Sequence, residues 1–207
     1  MRKYFPVLLL LAGLSLLLWP SLLKRQSCQS QHRALERYRA AVARLDTEVC
    51  ASLWAAAEAG NDPALLAVES SGIIGCVSIP TLQITLPIYA GTDESSLVKG
   101  VGLLEGSSLP LGASGHHTVL SAHRGLPEAR LFRDLDQLET GDLFTVTVLN
   151  RVLTYQVDQI LIASPEDTSA LLPRDGENLC TLLTCTPYGI NSHRLLVRGR
   201  RLSSSPL

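Results

Sequence analysis

The chain lacks the sequence features that mark several common classes of protein. Its 207 residues carry a formal net charge of −1, so nothing indicates a partner nucleic acid bound through bulk positive charge. There is no Cys-x-x-Cys pair and the five histidines are not spaced like zinc ligands, so we expect neither a structural metal site nor any other cofactor. No internal repeat is visible, which favours one domain of ordinary size beside a membrane or targeting segment.

The cysteines do not form an obvious disulfide framework. Their number is five, so at least one is unpaired unless it bonds to a partner chain. Cys180 and Cys185 are separated by an odd offset in a strand-like run, which puts their side chains on opposite faces and disfavours a bond between them. Leucines surround Cys180, so we interpret it as a small buried hydrophobic residue.

An uncharged apolar stretch covers residues 4–23, with a pair of basic residues on each side. Its length suits one crossing of a bilayer. It is longer than the core of a signal peptide, and no Ala-x-Ala cleavage site follows it. We therefore predict an uncleaved membrane anchor over residues 1–25, with a cleaved signal peptide and a buried soluble helix as the alternatives. The flanking charges do not fix its orientation.

Residues 28–59 have the composition of a helix. They are rich in Ala, Leu, Arg and Glu, contain no Pro or Gly, and place apolar residues at helical spacing. A Gly-Asn-Asp-Pro segment at residues 60–63 ends the helix and begins an irregular stretch. We predict that residues 26–71 form a helical stalk, or a helix that packs between the membrane and the following domain.

From residue 72 onward the sequence is rich in short strand patterns. A short amphipathic helix is expected at residues 131–138, and residues 100–115 are expected to form a loop. Strands are predicted at residues 73–80, 84–89, 118–125, 143–149, 152–162, 179–185 and 194–202. The pattern predicts a mostly β fold, a closed or nearly closed barrel over residues 72–202. The tail at 203–207 holds no second apolar span.

Residues 181–197 carry the strongest candidate for chemistry. An apolar run ends in Cys185, a turn-rich segment follows, and Arg194 opens a second apolar run. If these two strands pair, the thiol lies beside a permanent cation, which favours a reactive thiolate. A cysteine nucleophile needs a base or a cation and a clamp for the developing oxyanion. His123, at the end of the strand at 118–125, is the candidate base.

The residues alone leave open both the role of Cys185 and the identity of the base. Cys185 can be a buried structural thiol without chemistry. The base can be His116, His117 or His193 instead of His123. We expect the first two to lie in a loop before the strand. His193 is next to Arg194 in a strand-like run, so these two side chains point to opposite faces and cannot both face one site.

The sequence around these residues resembles a known family. Residues 181–199 (TLLTCTPYGINSHRLLVRG) are similar to the active-site strands of sortases, the membrane-anchored cysteine transpeptidases of Gram-positive bacteria. Three further blocks agree in order, at residues 75–92, 120–142 and 155–162. The resemblance covers about residues 72–202 and is strongest to the class C sortases, which assemble pili.

The resemblance implies an eight-stranded sortase-type β-barrel with short helices, preceded by a transmembrane helix and a helical stalk. It implies that Cys185 is the nucleophile, His123 the catalytic histidine and Arg194 the stabiliser of the transition state. The thiol would attack the Thr–Gly carbonyl of an LPxTG-like sorting signal and form a thioacyl enzyme. His123 would protonate the leaving amine and then help to deprotonate the acceptor, a lysine amine of the next pilin.

The resemblance also implies a location and a substrate groove. The chemistry occurs outside the membrane, so the anchor is expected to run from the cytoplasm to the exterior. The protein is then a single-pass protein of the cell membrane with an extracellular catalytic domain. The Leu-Pro part of the sorting signal would lie in an apolar groove, walled by the loop before the strand at 179–185.

The sequence departs from the class C pattern in several places. Ala122 replaces the glycine of the usual Ser-Gly-His, and Ala90 stands where a histidine is often found. The class C lid has an Asp-Pro-aromatic motif, whose aspartate faces the catalytic arginine and whose ring covers the cysteine. The candidate here is Asp62-Pro63-Ala64, where a methyl replaces the ring. We therefore expect a weakened or absent lid, with Asp62 either meeting the arginine or forming a helix-end turn.

The leading hypothesis is a class C-like sortase that polymerises pilins. A related alternative is a sortase that attaches surface proteins to a cell-wall amine of peptidoglycan. Two alternatives come from other classes: a cysteine hydrolase without transfer activity, and an inactive barrel that only binds sorting signals.

Overall fold

The computed structural model describes residues 5–126 and 129–206. Its eight strands are β1 (Ile73–Ile79), β2 (Ile84–Tyr89), β3 (Val101–Leu103), β4 (His116–Ser121), β5 (Leu143–Val148), β6 (Arg151–Ala163), β7 (Asn178–Thr186) and β8 (His193–Pro206). They close into a barrel in the order β1-β2-β3-β4-β7-β8-β6-β5. This confirms the predicted mostly β fold with an eight-stranded barrel.

The pairing of β4, β7 and β8 brings distant segments together. β4 runs parallel to β7, with Ser121 opposite Leu183. β7 runs antiparallel to β8, with Leu183 opposite Leu196 and Cys185 opposite Arg194. Side chains alternate between the two faces of a strand. Every second residue of these three strands therefore lies on the outer face of the barrel, and the others point into its core.

Aromatic packing fills the barrel between β5, β6 and β8. Phe144 and Tyr155 stack with their ring centroids 5.3 Å apart and their planes at 11°. Gly199 lies against this pair, since a Cβ built at this position would come within 2.5 Å of the Phe144 ring. The two rings fit inside the barrel because β8 has no side chain at this point.

Two helices precede the barrel, α1 (Phe5–Val42) and α2 (Thr47–Gly60). The pattern at residues 28–59 predicted one continuous helix, but Asp46 adopts an extended conformation and begins a second one, as aspartate favours helix starts. No helix among residues 5–126 and 129–206 combines the length and the apolar character needed to cross a membrane. The first residues of the predicted anchor, 1–4, lie outside the described part, and the anchor stays a prediction.

A buried hydroxyl and a stacked cation hold the helices on the barrel. Tyr38 of α1 is 2% exposed, and its hydroxyl donates to the Ile74 carbonyl at 3.1 Å and accepts from the Leu149 amide at 3.0 Å. The Arg151 guanidinium lies over the Trp54 ring of α2, 4.4 Å from its centroid, within the range of a cation–π contact. The predicted stalk therefore includes helices that pack on the barrel.

Two strands differ from the predicted pattern. β4 begins at His116, so His116 and His117 lie in a strand instead of the preceding loop that we expected. β3 lies within residues 100–115, where glycines and a proline favoured a loop. In both places pairing with a neighbouring strand overrides the local preference of the sequence.

The ends of two other segments also differ from the prediction. Residues 131–138 hold a 3-10 turn at Leu135–Gln137 instead of an amphipathic helix. Leu131 has a positive φ of 42°, which no right-handed helix allows. β8 extends through Pro206, which pairs with Arg151, so the barrel includes residues of the predicted tail. Leu207 lies outside the described residues.

Replacing Tyr38 by Phe should destabilise the protein by about 1–3 kcal/mol, because the Ile74 carbonyl and the Leu149 amide lose this partner while they stay buried. The free energy of unfolding in guanidinium chloride measures the effect. Tyr188→Phe, at an exposed tyrosine, is the matched control and should change it by less than about 0.5 kcal/mol. Equal changes in the two variants would contradict the docking role of the buried hydroxyl.

Candidate active site

The strands that carry the predicted thiol and arginine are neighbours. Cys185, near the end of β7, faces Arg194, near the start of β8, in the antiparallel register. The turn between them contains Asn191, which has a positive φ of 59° and whose carbonyl accepts from Arg194 Nη1 at 3.2 Å. The same nitrogen donates to the His193 carbonyl at 3.2 Å. These bonds hold a permanent cation beside the half-buried thiol.

His123 approaches the same place from the parallel neighbour of β7. It follows the end of β4, where Ser121 pairs with Leu183, so extending this register by two residues places His123 in line with Cys185. The Ala122 amide donates to the Leu183 carbonyl at 3.1 Å. The Thr184 hydroxyl donates to the Ala122 carbonyl at 2.8 Å. These two bonds extend the strand pairing up to the residues that carry the imidazole and the thiol.

A cleft of about 370 Å³ contains all three predicted catalytic residues: Cys185, His123 and Arg194 line it. The loop between β6 and β7 forms one wall, as we expected of the substrate groove, and contributes Ser164, Pro165, Asp167, Thr168 and Leu171. Apolar side chains of the remaining wall are Leu97, Leu104, Leu183 and Leu196. The cleft thus combines a thiol that can attack a carbonyl, an imidazole that can move a proton and a cation for an oxyanion.

Arg124 supports the site and was not identified from the sequence. Its guanidinium donates to Thr186 Oγ1 and, at 2.6 Å, to Asp136 Oδ2, and its side chain is 11% exposed. It therefore ties the residue after His123 to the residue after Cys185. No local sequence pattern marks such an arginine, because one of its two partners is 62 residues away.

His117, which we expected in a loop, is a buried structural residue. It is 1% exposed, with Nε2 2.7 Å from Thr181 Oγ1 and Nδ1 3.1 Å from the Leu172 carbonyl. A carbonyl only accepts, so Nδ1 carries the proton and Nε2 accepts from the hydroxyl. Burial lowers the pKa of His117, which keeps the ring neutral. Both nitrogens are occupied, and the histidine fastens one end of the β6–β7 loop to β7.

The other candidate residues do not join the three in the cleft. His193 is exposed, and its Nδ1 lies 2.9 Å from the Ser192 hydroxyl. Cys180 is fully buried, as predicted for a small hydrophobic residue, and burial raises the pKa of its thiol. All five cysteines are free thiols. Within the part of the chain that the structure describes, no cluster of three metal-ligating side chains occurs.

Asp62, the predicted lid residue, lies in a helix-end turn. It is exposed and begins a 3-10 turn at Pro63–Leu66, where its carboxylate accepts from the Ala64 amide at 2.9 Å. The ion pairs among the described residues include none between Asp62 and Arg194. The structure therefore matches the second of the two expectations for this residue. The weakened or absent lid stays a prediction.

Comparison with known sequences gives a consistent result. A sequence model of the family described as "Sortase domain" matches residues 77–202. The chain is 30% identical over 138 residues to Sortase D of Bacillus subtilis, in an alignment that covers 65% of this chain and 67% of the relative.

Solved structures agree with the sequence comparison. Sortase C of Streptococcus pneumoniae superposes with a TM-score of 0.78 at 43% identity, covering 84% of this chain and 100% of that one. Sortase C1 of Streptococcus agalactiae gives a TM-score of 0.80 at 42% identity, with 83% and 98% covered. Both neighbours are class C sortases, which confirms the resemblance to that class.

The stability of the protein should decrease as pH falls through the titration range of His117. Burial lowers its pKa below the ordinary value of 6.5, so just below that pH the unfolded chain binds a proton that the folded chain does not. The free energy of unfolding must then decrease with falling pH. The free energy of unfolding, measured between about pH 7.5 and 5.5, should change less steeply with pH in His117→Gln than in the original protein. An unchanged slope, or an equal effect of the exposed-residue control His193→Gln, would contradict this role.

Alkylation of Cys185 should proceed at the same rate in Asp62→Ala as in the original protein, because the carboxylate is bonded within its own turn. Mass spectrometry of peptides measures the rate and separates Cys185 from the exposed Cys28. Asp136→Ala, which removes a partner of Arg124 beside the site, is a positive control expected to change the rate. A faster reaction in Asp62→Ala would mean that this residue covers the thiol.

Proposed function

Because this chain belongs to the sortase family of cysteine transpeptidases, we propose that it cleaves an LPxTG-like sorting signal between Thr and Gly and transfers the threonine carbonyl to a lysine amine of a pilin. Cys185 is the nucleophile, His123 moves the protons and Arg194 stabilises the oxyanion. The proposal rests on one observation above all: a thiol on β7, a guanidinium on β8 and an imidazole just beyond the end of the adjacent β4 line one cleft.

In the first step the Cys185 sulfur forms a bond to the threonine carbonyl carbon. The proton of the thiol passes to His123, and the negative charge that develops on the carbonyl oxygen is stabilised by the Arg194 guanidinium. The bond between this carbon and the glycine nitrogen then breaks, and His123 gives its proton to the leaving amine. The products are a thioacyl enzyme and a peptide that begins with glycine.

In the second step an acceptor amine replaces the cysteine. Its nitrogen lone pair forms a bond to the acyl carbon, its excess proton passes to His123, and the carbon–sulfur bond breaks. The proton then returns from His123 to the sulfur of Cys185. The three residues end the cycle as they began it, which is what repeated transfer requires.

The choice of a sorting signal and a pilin is supported by the cleft and by the neighbours. Leucines on both walls of the cleft suit the Leu-Pro part of such a signal. The published description of the Streptococcus pneumoniae sortase C structure refers to its pilin substrate specificity. The likeness to that protein, at 43% identity, favours a pilin over other amine acceptors.

We also propose that residues 1–25 anchor the protein in the cell membrane with the barrel outside. The support is the uncharged apolar stretch at residues 4–23 between basic pairs. Sorting signals and pilin lysines are located on the outer side of the membrane, so the proposed chemistry requires the barrel to lie on that side.

Incubation of the purified protein with a pilin that carries an LPxTG-type signal should produce covalent ladders on denaturing gels. Cys185→Ala should reduce ladder formation at least about a thousandfold, since the nucleophile is lost. Cys28→Ala, at an exposed thiol on α1, is the matched control and should leave the ladders intact.

Other outcomes would contradict the proposal in distinct ways. Cleavage of the signal without amine transfer would indicate a hydrolase. Transfer to a cell-wall peptide amine but not to pilin lysine would indicate a sortase that anchors surface proteins. Absence of cleavage, with binding of the signal retained in Cys185→Ala, would indicate a binding module.

A further inference from the structure

A single helical turn, α3 (Glu94–Leu97), lies at the rim of the cleft, where Thr92 and Leu97 contribute to the lining. Glu94 Oε1 is 3.9 Å from His123 Nε2, which is too long for a direct hydrogen bond. The Glu94 side chain is 79% exposed, and its carboxylate has no hydrogen-bond donor among the residues that the structure describes.

Neighbouring carboxylates on both sides of the cleft are already occupied. Asp93 accepts from the hydroxyls of Ser95 and Ser96, each at 2.6 Å. On the wall formed by the β6–β7 loop, Asp167 accepts from the Ser169 amide at 3.0 Å and from its hydroxyl at 2.6 Å. These groups stabilise their own turns. The carboxylate on the first residue of α3 has no such local partner and stands beside the imidazole.

The imidazole atom that Glu94 faces is also without a partner. His123 Nε2 is shielded from solvent and has no hydrogen-bond partner among the described residues. Access of a ligand nitrogen to the shielded Nε2 requires a neighbouring side chain to move, and the exposed Glu94 side chain is free to rotate. The nitrogen can then lie within about 3 Å of both Nε2 and Oε1. A carboxylate beside a proton-accepting imidazole suits a ligand that is positively charged and must lose a proton, which is the chemistry of an alkyl ammonium.

We infer that Glu94 and His123 form the binding site for the ammonium group of the acceptor in the transfer step. This inference rests on the proposed transpeptidase function and adds a residue that selects the acceptor. A lysine amine has a pKa of about 10.4, so it arrives protonated and is attracted by the carboxylate. It releases one proton to solvent while held there, and its lone pair then attacks the thioacyl carbon. The second proton passes to His123 and from there to the departing sulfur of Cys185.

The size of the effect follows from the exposure of the carboxylate. An ion pair at an exposed site changes a binding constant only a few-fold, because solvent screens the attraction. Glu94 should therefore tune the affinity for a charged acceptor and should not decide whether transfer occurs. An acceptor that is neutral at pH 7, such as hydroxylamine, gains nothing from the carboxylate.

The test compares Glu94→Gln with the original protein in two transfer reactions, one to a lysine-containing peptide and one to hydroxylamine. We expect KM for the lysine peptide to rise about three- to fivefold, with kcat and the transfer to hydroxylamine little affected. Glu94→Asp should recover part of the loss. Glu58→Gln, at an exposed carboxylate on α2 that does not line the cleft, removes the same charge and should leave both reactions unchanged.

Two results would overturn the inference. An unchanged KM for the lysine peptide in Glu94→Gln would mean that the carboxylate does not bind the acceptor. An equal loss with hydroxylamine, or a slower formation of the thioacyl enzyme, would mean that Glu94 acts through His123 and not on the ammonium. If the original protein forms no thioacyl enzyme at all, the proposed function itself fails, and mass spectrometry of Cys185 distinguishes that case.

Discussion

The parallel pairing of β4 with β7 fixes where the site can form. It places the end of β4, and the histidine that follows, alongside the end of β7, and the antiparallel pairing of β7 with β8 adds the arginine opposite Cys185. Because side chains alternate along a strand, a shift of one residue in either register would turn the thiol or its partners into the barrel. The close packing of Phe144, Tyr155 and Gly199 inside the barrel resists such a shift.

Buried polar bonds connect the cleft wall to these same strands. His117 joins the β6–β7 loop to Thr181 of β7, and Arg124 joins the end of β4 to the end of β7. An unpaired polar group costs free energy when it is buried, so each of these bonds favours one arrangement of the loop and the strands. One end of the groove wall is therefore fastened to the strand that carries the thiol, while Glu94 at the rim is exposed.

The barrel was predictable because its strands show alternating or continuous apolar runs between turn residues. The proximity of Cys185 and Arg194 was predictable for a similar reason, since two strands joined by a short turn pair with each other. The proximity of His123 to Cys185 could be predicted only from the resemblance to a family, because parallel pairing between distant segments leaves no local sequence pattern. The buried structural role of His117 could not be predicted either, because only the fold distinguishes it from the adjacent His116. β3 and residues 131–138 were mispredicted because tertiary contacts, and not local preference, decide their conformation.

The hydrogen bond between the Thr184 hydroxyl and the Ala122 carbonyl joins residues that are 62 positions apart. Before this contact forms, the Cys185 thiol and the His123 imidazole are not held near each other. Pairings between strands so distant in sequence form slowly, because the closure of a long loop costs entropy before any contact offsets it. Folding therefore brings the candidate catalytic residues together. In a nascent or partly unfolded chain the proposed nucleophile, base and cation lie apart, and the proposed reaction requires the closed barrel.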